Sequence, residues 1–331
     1  MSKHDERSRS RLPIVISQGE PAGIGPEIAV KAWSQLSGEI SGRPLLLIGS
    51  SDVFHQAALA SGIAAAGLTA AILDTGHQVR VEPGKPLPDN AGAVTAAIEW
   101  GVRACQKGEA AALVTAPIHK SVLTQAGFGF PGHTEYLAAL TGRERAVMML
   151  ASSDTDPPLR VVPFTIHIPL KEVFRRLDAE AIAATGAVVL EALARDFGCA
   201  HPRLAIAGLN PHAGEDGTMG REDIDIIAPA AERLRSRGYT VLGPLSADTM
   251  FHEEARKTYD AALCMYHDQA LIPIKTLAFW TGVNVTLGLP IVRTSPDHGT
   301  ALGIAGRGIA NQASMIAAIR MAADIAARRG L

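Results

Sequence analysis

Three histidines stand where short apolar stretches give way to polar residues. They are His167 in FTIHIP, His212 in LNPHAGE and His267 in MYHDQ. Side chains that follow the ends of parallel strands collect at one edge of a sheet, where α/β enzymes build their sites. Three imidazoles around an open fourth position form a catalytic metal site, so these residues are candidate ligands. Taken singly, each is more often a hydrogen-bonded structural histidine, and their spacing alone does not bring them together.

A second set of side chains has the chemistry of an anion site. Lys275, Asn284 and Arg293 interrupt strongly apolar stretches near the C-terminal end. Arginine offers a planar fork that matches phosphate or carboxylate, lysine a point charge, and asparagine a directional amide. Isolated charges in apolar surroundings are usually paired or functional, although exposure on the surface is the alternative. The set therefore indicates a pocket for a phosphate or a carboxylate.

Two segments have the composition of a phosphate seat and of a nucleotide loop. His133 and Thr134 open a predicted helix, where two side-chain donors lie beside free backbone N–H groups. An ordinary threonine cap is the alternative. In residues 297–311, glycines and small residues let the backbone approach a flat ligand such as an adenine nucleotide. A mobile connector is the alternative there.

Two strand ends carry further candidate loops. Residues 19–27, GEPAGIGPE, lie between a predicted strand and a helix, where the free N–H groups of the helix attract anions. They match neither the dinucleotide fingerprint nor the phosphate-cradling loop that requires Gly-Lys-Ser/Thr. Residues 115–120, TAPIHK, follow another strand. Tight turns with ordinary caps explain both segments equally well.

Short apolar strands alternate with alanine-rich helices along the whole chain, which predicts an α/β protein with a mainly parallel sheet and helices on both faces. The periodicity predicts strands at residues 14–17, 45–48, 71–73, 111–115, 147–150, 160–165, 203–207, 261–266 and 284–287. It predicts helices at residues 26–36, 90–106, 179–196, 222–237 and 311–328. We expect a first lobe at residues 13–130 plus 290–331, a second lobe at 131–289, and the site in the cleft between them.

The bulk composition restricts the class of protein. With 331 residues and 47% hydrophobic residues, the chain can bury the cores of about two domains. A net charge of −2 gives no reason to expect nucleic acid or a membrane as a partner. Three scattered cysteines fit a reducing compartment. Residues 1–12 are charged and lack the apolar stretch of a secretory signal, so we expect a flexible N-terminal arm and a cytoplasmic protein.

The motifs together resemble a known family. The segments ISQGEPAGIGPE, TAPIHK, GHTEYLA, LNPHAGE, GPLSADTMF, MYHDQALIPIK and GVNVTLGLPIVRTSPDHGTA, in this order, are similar to those of the 4-hydroxythreonine-4-phosphate dehydrogenases. The resemblance extends from about residue 14 to the end of the chain. Residues 297–311 also resemble the nucleotide loop of the isocitrate and isopropylmalate dehydrogenases, which bind NAD without a Rossmann fingerprint. The resemblance implies a two-lobed α/β/α fold of that superfamily.

The resemblance also implies roles for individual residues. His167, His212 and His267 would bind one divalent metal per subunit (zinc, cobalt or magnesium) at a site shared between the subunits of a homodimer. His133, Thr134, Lys275, Asn284 and Arg293 would hold a small phosphorylated substrate. Lys275 would be a proton carrier or a phosphate contact, with Asp248 and Asp268 as further catalytic candidates. NAD or NADP would bind at Asp297, His298, Gly299, Thr300 and Ala301; Gly303, where relatives usually carry a polar or acidic residue, leaves the choice open.

The implied reaction is oxidation of the C3 hydroxyl of 4-phosphooxy-L-threonine by NAD(P)⁺, followed by decarboxylation to 3-amino-2-oxopropyl phosphate in pyridoxal 5'-phosphate biosynthesis. Paralogues with similar motifs oxidise threonate or erythronate 4-phosphate, or cis-dihydrodiols of aromatic acids. The three residues Lys275, Asn284 and Arg293 favour a phosphorylated substrate over a dihydrodiol. An alternative from another class is a metal-independent phosphate acyltransferase of the same fold.

Overall fold

The structure is a computed structural model that describes residues 11–130 and 132–331. The strands in chain order are β1 (Ile14–Ser17), β2 (Glu39–Ile40), β3 (Arg43–Gly49), β4 (Ile72–Asp74), β5 (Ala112–Thr115), β6 (Val147–Ser152), β7 (Leu159–Pro163), β8 (Arg203–Ala207), β9 (Thr240–Leu245), β10 (Ala261–Cys264), β11 (Val283–Leu287) and β12 (Arg293–Pro296). The helices are α1 (Gly25–Gln35), α2 (Ser51–Ala60), α3 (Leu68–Ala71), α4 (Ala91–Gln106), α5 (Lys120–Gln125), α6 (His133–Leu140), α7 (Leu170–Arg176), α8 (Ala179–Phe197), α9 (Ala228–Ser236), α10 (Glu253–Arg256), α11 (His267–Leu277) and α12 (Ala313–Arg328).

By their internal contacts the residues form two compact units, the first comprising residues up to Glu144 together with Leu289–Leu331. Its strands lie in the order β2-β3-β1-β5-β12, and β4 also pairs with β3. All pairs are parallel except β2 with β3. Helix α4 packs against β1 and β3, and α12 packs against β5 and β12. Because such strands are covered on both faces, β1 reads as the continuous apolar run IVIS and all four of its residues are buried.

The second unit comprises Arg145–Gly288, and its strands lie in the order β11-β6-β7-β10-β8-β9. The pairs on β6 are antiparallel, whereas β7, β10, β8 and β9 form a parallel series. Helix α11 packs against this sheet through Ala270 and Ile274, which are fully buried beside Ala262 and Cys264 of β10. The spacing of four residues places both side chains on one face of the helix.

The predicted α/β class with mainly parallel strands is confirmed. Strands predicted at residues 14–17 and 203–207 have those same bounds in the structure. The helix predicted at 222–237 begins differently, with a π-helical turn at Asp223–Ile227 before α9. Helix α6, which the sequence places in the second lobe, belongs by its contacts to the first unit: the Tyr136 hydroxyl donates to Glu99 of α4 at 2.7 Å.

The predicted N-terminal arm lies outside the described residues, except for Arg11 and Leu12. Arg11 donates to the carbonyl of Ser41 at 2.9 Å, and the carbonyl of Leu12 accepts from Arg43 at 3.2 Å. Among the described helices, none has both the length and the apolar character needed to span a bilayer.

Candidate active site

The register of two parallel strands brings His167 and His267 together. Beyond the last β7–β10 pair, Pro163 with Cys264, the backbone continues the pairing: Phe164 N–H donates to the Cys264 carbonyl at 2.7 Å. The Thr165 hydroxyl then donates to the Met265 carbonyl at 2.8 Å. Both chains therefore leave the sheet side by side, and the two imidazole rings lie 5.7 Å apart between centroids.

One ring nitrogen of His267 is already engaged by a carboxylate. Its Nδ1 lies 2.6 Å from Oδ1 of Asp268, and because a carboxylate accepts, Nδ1 carries the proton. In the neutral ring Nε2 is then the acceptor, which is the form that binds a metal. A carboxylate in this position also fixes the orientation of the ring. This contact with Asp268 is compatible with the predicted role of His267 as a metal ligand, which stays a prediction.

His212 lies in a loop of unusual backbone conformation. The loop follows β8, which neighbours β10, and residues 212–216 all have positive φ, including His212 at 52° and Glu215 at 39°. The His212 side chain is exposed, with Nδ1 at 3.7 Å from Oε2 of Glu215. Within residues 11–130 and 132–331, no three His, Cys, Asp or Glu side chains are grouped closely enough to hold a metal. The three-histidine metal site remains a prediction. Within one chain, two of its three histidines, His167 and His267, lie close together.

A buried aspartate holds the His212 loop in place. Asp223 accepts from the backbone N–H groups of Leu209 at 2.7 Å and Asn210 at 3.2 Å, and from Asn210 Nδ2 at 3.0 Å. Gln269 completes the support, because its Nε2 donates to the Gly208 carbonyl and its Oε1 accepts from Met265 N–H, both at 2.7 Å. These contacts offset the backbone strain of positive φ at residues other than glycine.

Asp223→Ala is therefore expected to lower the free energy of unfolding by about 3 kcal/mol, because the donors of Leu209 and Asn210 would be left unsatisfied. Urea denaturation measures the loss. Asp225→Ala is the matched control, since this exposed carboxylate forms a surface pair with Arg221 that is worth about 0.5 kcal/mol. Equal losses in the two variants would contradict the assigned role of Asp223.

A cavity of about 660 Å³ lies beside these loops in the second unit. His212, Asp248 and Asp268 contribute polar groups to it, and Phe251 and Ile272 are among its apolar residues. Asp248 is exposed and accepts from the Ser246 hydroxyl at 2.6 Å, a hydrogen bond that is the main cause lowering the pKa of Asp248. The cavity is therefore lined by His212, the third predicted metal ligand, and by both predicted catalytic aspartates.

A buried arginine forms the centre of the candidate anion site in the first unit. Arg293 begins β12, is 2% exposed, and its Nη2 donates to the Thr115 hydroxyl at the end of β5 at 2.6 Å. Burial lowers the pKa of Arg293 to about 9, because the charged guanidinium has lost much of its hydration. An anion bound next to it would restore stability to the charged form.

His133 lies close to this positive charge. Its Nε2 is buried and accepts no hydrogen bond from any described residue. Burial lowers the pKa of His133 well below its usual value, and the charges of Arg293 and Lys120 lower it further. The imidazole is therefore neutral at neutral pH, with a buried ring nitrogen left for a ligand. Lys120 Nζ also lies 3.3 Å from the position a Cβ would take on Gly132.

The other predicted substrate residues divide between the two units. Thr134 is half-buried in the first turn of α6. In the second unit, Lys275 lies in the last turn of α11 with Nζ at 5.5 Å from the Phe279 ring centre. Asn284 is half-buried in β11, and its Oδ1 is a buried acceptor that no described donor reaches. Their common role in binding one substrate stays a prediction.

The predicted nucleotide loop packs against the glycine-rich segment before α1. Ile24 N–H donates to the Thr300 carbonyl at 2.9 Å, and a Cβ on Gly23 would lie 2.9 Å from the same oxygen. His298 and Ala301 are exposed, and Asp297 N–H donates to Ser314 at 3.3 Å. Among the described residues, no heavy atom lies within 4 Å of the position a Cβ would take on Gly299 or Gly303. The loop thus has an open surface that fits a flat ligand.

Two residues beside Arg293 and His133 belong to a segment that the sequence indicates as a candidate. Thr115 and Lys120 lie in TAPIHK, which its place at a strand end marks as a possible site loop. The residues that support the His212 loop, Asp223 and Gln269, were not predicted. Asp223 gave no signal, because an acidic residue at a helix start is ordinary. Gln269 stands next to His267 and Asp268 but has no ionisable group to single it out.

The fold and the candidate site are those of an α/β enzyme with two neighbouring histidines at strand ends and a buried arginine. The family model described as "Pyridoxal phosphate biosynthetic protein PdxA" matches residues 42–322. The chain belongs to this family.

Individual relatives agree over nearly the full length. A 4-hydroxythreonine-4-phosphate dehydrogenase of Paracoccus denitrificans is 54% identical, covering 96% of this chain and 98% of the relative. One of Roseobacter denitrificans is 53% identical, covering 97% and 99%. The crystal structure of the Klebsiella pneumoniae enzyme of that name has a TM-score of 0.81 at 35% identity, covering 95% and 99%. The predicted superfamily fold is confirmed, with a β-decarboxylating dehydrogenase of Thermococcus kodakarensis sharing the fold at 16% identity and a TM-score of 0.52.

Proposed function

We propose that this protein oxidises the C3 hydroxyl of 4-phosphooxy-L-threonine with NAD(P)⁺ and releases 3-amino-2-oxopropyl phosphate for pyridoxal 5'-phosphate synthesis. The hydride passes to the nicotinamide and a proton is released. The resulting β-keto acid then loses CO2. The observation that carries the proposal is the 54% identity over 96% of the chain to a relative with this name.

The phosphate of the substrate fits the cluster of Arg293, His133 and Thr134. Arg293 supplies a full positive charge from a buried position, and the neutral imidazole of His133 adds a hydrogen bond. Thr134 adds a hydroxyl at the start of a helix, whose free N–H groups favour anions. Lys275 and Asn284 complete the substrate contacts, with Lys275 carrying a proton or contacting the phosphate. A dihydrodiol of an aromatic acid would offer this cluster a carboxylate in place of a phosphate.

His167, His212 and His267 would hold a divalent metal. The fit rests on the 5.7 Å between the His167 and His267 rings and on the contact of His267 Nδ1 with Asp268, which makes Nε2 the acceptor nitrogen of the neutral ring. When bound, the metal supplies Lewis acidity to the oxygens of the substrate. Imidazole ligands suit zinc or cobalt better than magnesium, which prefers oxygen. Asp268 orients the His267 ring, and Asp248 places a carboxylate beside His212.

We propose that the working form is a homodimer in which subunits share the metal site. Large apolar side chains on the second unit support it: Ile272 is 64% exposed and Phe279 and Trp280 about as much, where a monomer would bury such residues. Within the described part of one chain, His212 is not grouped with His167 and His267. A ligand from the partner subunit would complete the metal site. NAD or NADP would bind along residues 297–311, where Gly299 and Gly303 leave open space.

The test is formation of NADH or NADPH from 4-phosphooxy-L-threonine by the purified protein, with each nucleotide in turn. We expect turnover with this substrate, with the keto phosphate and CO2 as products. Threonate 4-phosphate and an aromatic cis-dihydrodiol serve as comparison substrates. No turnover of 4-phosphooxy-L-threonine, or faster turnover of threonate 4-phosphate, would contradict the proposal. Acyl transfer to phosphate without any metal would assign the protein to a different class.

A further inference from the structure

An ion pair on α1 reaches across to the far end of the nucleotide loop. Lys31 Nζ donates to Oε1 of Glu27 at 2.9 Å, to the Gly308 carbonyl at 2.7 Å and to the Ala310 carbonyl at 2.9 Å. Oε1 of Glu27 also accepts from Ala310 N–H at 2.7 Å. The pair therefore makes three hydrogen bonds to residues 308–310.

The pair differs from an ordinary surface salt bridge. The Glu27 and Lys31 side chains are 4% and 15% exposed, although both are charged. An ammonium has three N–H donors, and all three of Lys31 are used within this cluster. Burial of charged groups is costly unless hydrogen bonds compensate for the lost water. The two buried charges therefore fix the backbone of residues 308–310. The stability of α1 alone would not require charged side chains to be buried.

The same stretch is shaped on its other side by α2. Gly308 has φ of +68°, and a Cβ there would lie 2.2 Å from the Ala60 carbonyl. The neighbouring Ile309 is 64% exposed, so its large side chain does not hold the segment in place, and the small buried Ala310 is the other apolar residue of the segment. Its position depends on the glycine conformation on one side and on Glu27 and Lys31 on the other.

We infer that Glu27 and Lys31 are positioning residues for the nicotinamide nucleotide, holding residues 308–310 in the binding conformation before the ligand arrives. The inference rests on the proposed function, which assigns the nucleotide to residues 297–311. If the loop adopts the binding conformation only part of the time, the apparent Kd for the nucleotide is the intrinsic Kd divided by the fraction of protein in that conformation. The pair acts through the backbone of the loop, so its removal changes nucleotide affinity and leaves the phosphate site intact.

The test uses Lys31→Met, which keeps the length of the side chain and removes the charge and all donors. We expect the Kd for NADH or NADPH, measured by fluorescence titration, to rise about tenfold as the competent fraction falls. The KM for 4-phosphooxy-L-threonine should stay within about twofold of wild type, since that site is independent. Hydrogen exchange in the protein without nucleotide should accelerate at the Ala310 amide. Lys31→Arg, which retains charge and donors, should recover part of the affinity.

Arg103→Met is the matched control. Arg103 pairs with Glu99 at the same spacing of four residues on α4, at 3.4 Å and with 57% exposure. Its removal should change neither nucleotide affinity nor exchange at Ala310. A wild-type Kd in Lys31→Met overturns the inference, and so does an equal rise in the Kd for nucleotide and the KM for substrate. Wild-type protein that binds neither NADH nor NADPH overturns the proposed cofactor and the inference with it.

Discussion

Arg293→Met is expected to lower kcat/KM for the phosphorylated substrate by about 10²–10³-fold, which corresponds to about 3–4 kcal/mol of lost binding to the transition state. The free energy of unfolding should fall by about 2 kcal/mol or less, the worth of the buried hydrogen bond that Arg293 donates to Thr115. A loss of activity larger than this loss of stability indicates a residue that binds the ligand.

The pKa of His133 provides an independent measurement in the same variant. The Arg293 charge is one cause that lowers this pKa, after burial and ahead of the charge of Lys120. Removing Arg293 should therefore raise the pKa of His133 toward its usual value, as followed by NMR titration of the ring. As the pH falls, the imidazole of His133 in the variant then becomes protonated at a higher pH than in the wild type. An unchanged titration would show that the two side chains do not share one electrostatic environment.

Arg43→Met is the matched control, because Arg43 is equally buried at 2% exposure. Its guanidinium donates to the backbone oxygens of Leu12 and Leu331 and so ties these two residues to β3. This variant should lose about 2–3 kcal/mol of stability, the worth of hydrogen bonds to a charged group, and retain activity. The role of Arg293 is refuted if its variant loses stability as Arg43→Met does and keeps its kcat/KM.

The strands with apolar sequences were predictable because a strand that is buried on both faces is composed mainly of apolar residues. β1 and β8 show this directly. The opposite holds for β12, whose sequence RTSP has one charged, two hydroxyl and one proline residue and is nevertheless buried throughout. Its place beside β5 comes from tertiary structure, since Arg293 pairs with Leu113 in register. No local rule assigns such a segment to a sheet.

Helix α11 was missed for a different reason. It begins at His267 and contains Pro273, and an interior proline normally ends a helix. The buried spacing of Ala270 and Ile274 against the core of the second unit outweighs that cost. The apolar run correctly predicts that the preceding strand ends before His267, but no local signal predicts the packing that continues the chain as a helix.

For the site, the place of the histidines at strand ends was predictable, and their distances were not. His167 and His267 meet because β7 and β10 are neighbours in a particular register. His212 follows β8, the neighbour of β10, and lies in a run of positive φ that only the glycines of the loop hint at. The contact between Lys31 and Gly308 spans 277 positions in the chain, a separation that no motif encodes.

His267→Asn is expected to remove the bound divalent metal and to lower activity by more than about 10³-fold, since Lewis-acid stabilisation of charge is worth several kcal/mol. The side chain is 35% exposed at the start of α11, so the fold should tolerate the change. Metal content by plasma mass spectrometry checks the first effect and turnover the second. Wild-type protein stripped by a chelator should lose activity and recover it with zinc, cobalt or magnesium.

Asp268→Asn should have a smaller effect of the same kind, lowering metal affinity by about 10–100-fold, because the carboxylate fixes the His267 ring and its proton on Nδ1. His252→Asn is the matched control: this histidine of the same unit is exposed and caps α10 through Ala255, a role asparagine also fills. A graded series, with His267 worse than Asp268 and His252 unaffected, is what a ligand and its orienting carboxylate produce. Full metal content in His267→Asn would contradict the ligand role, and equal losses at Asp268 and His252 would reduce the effect to general destabilisation.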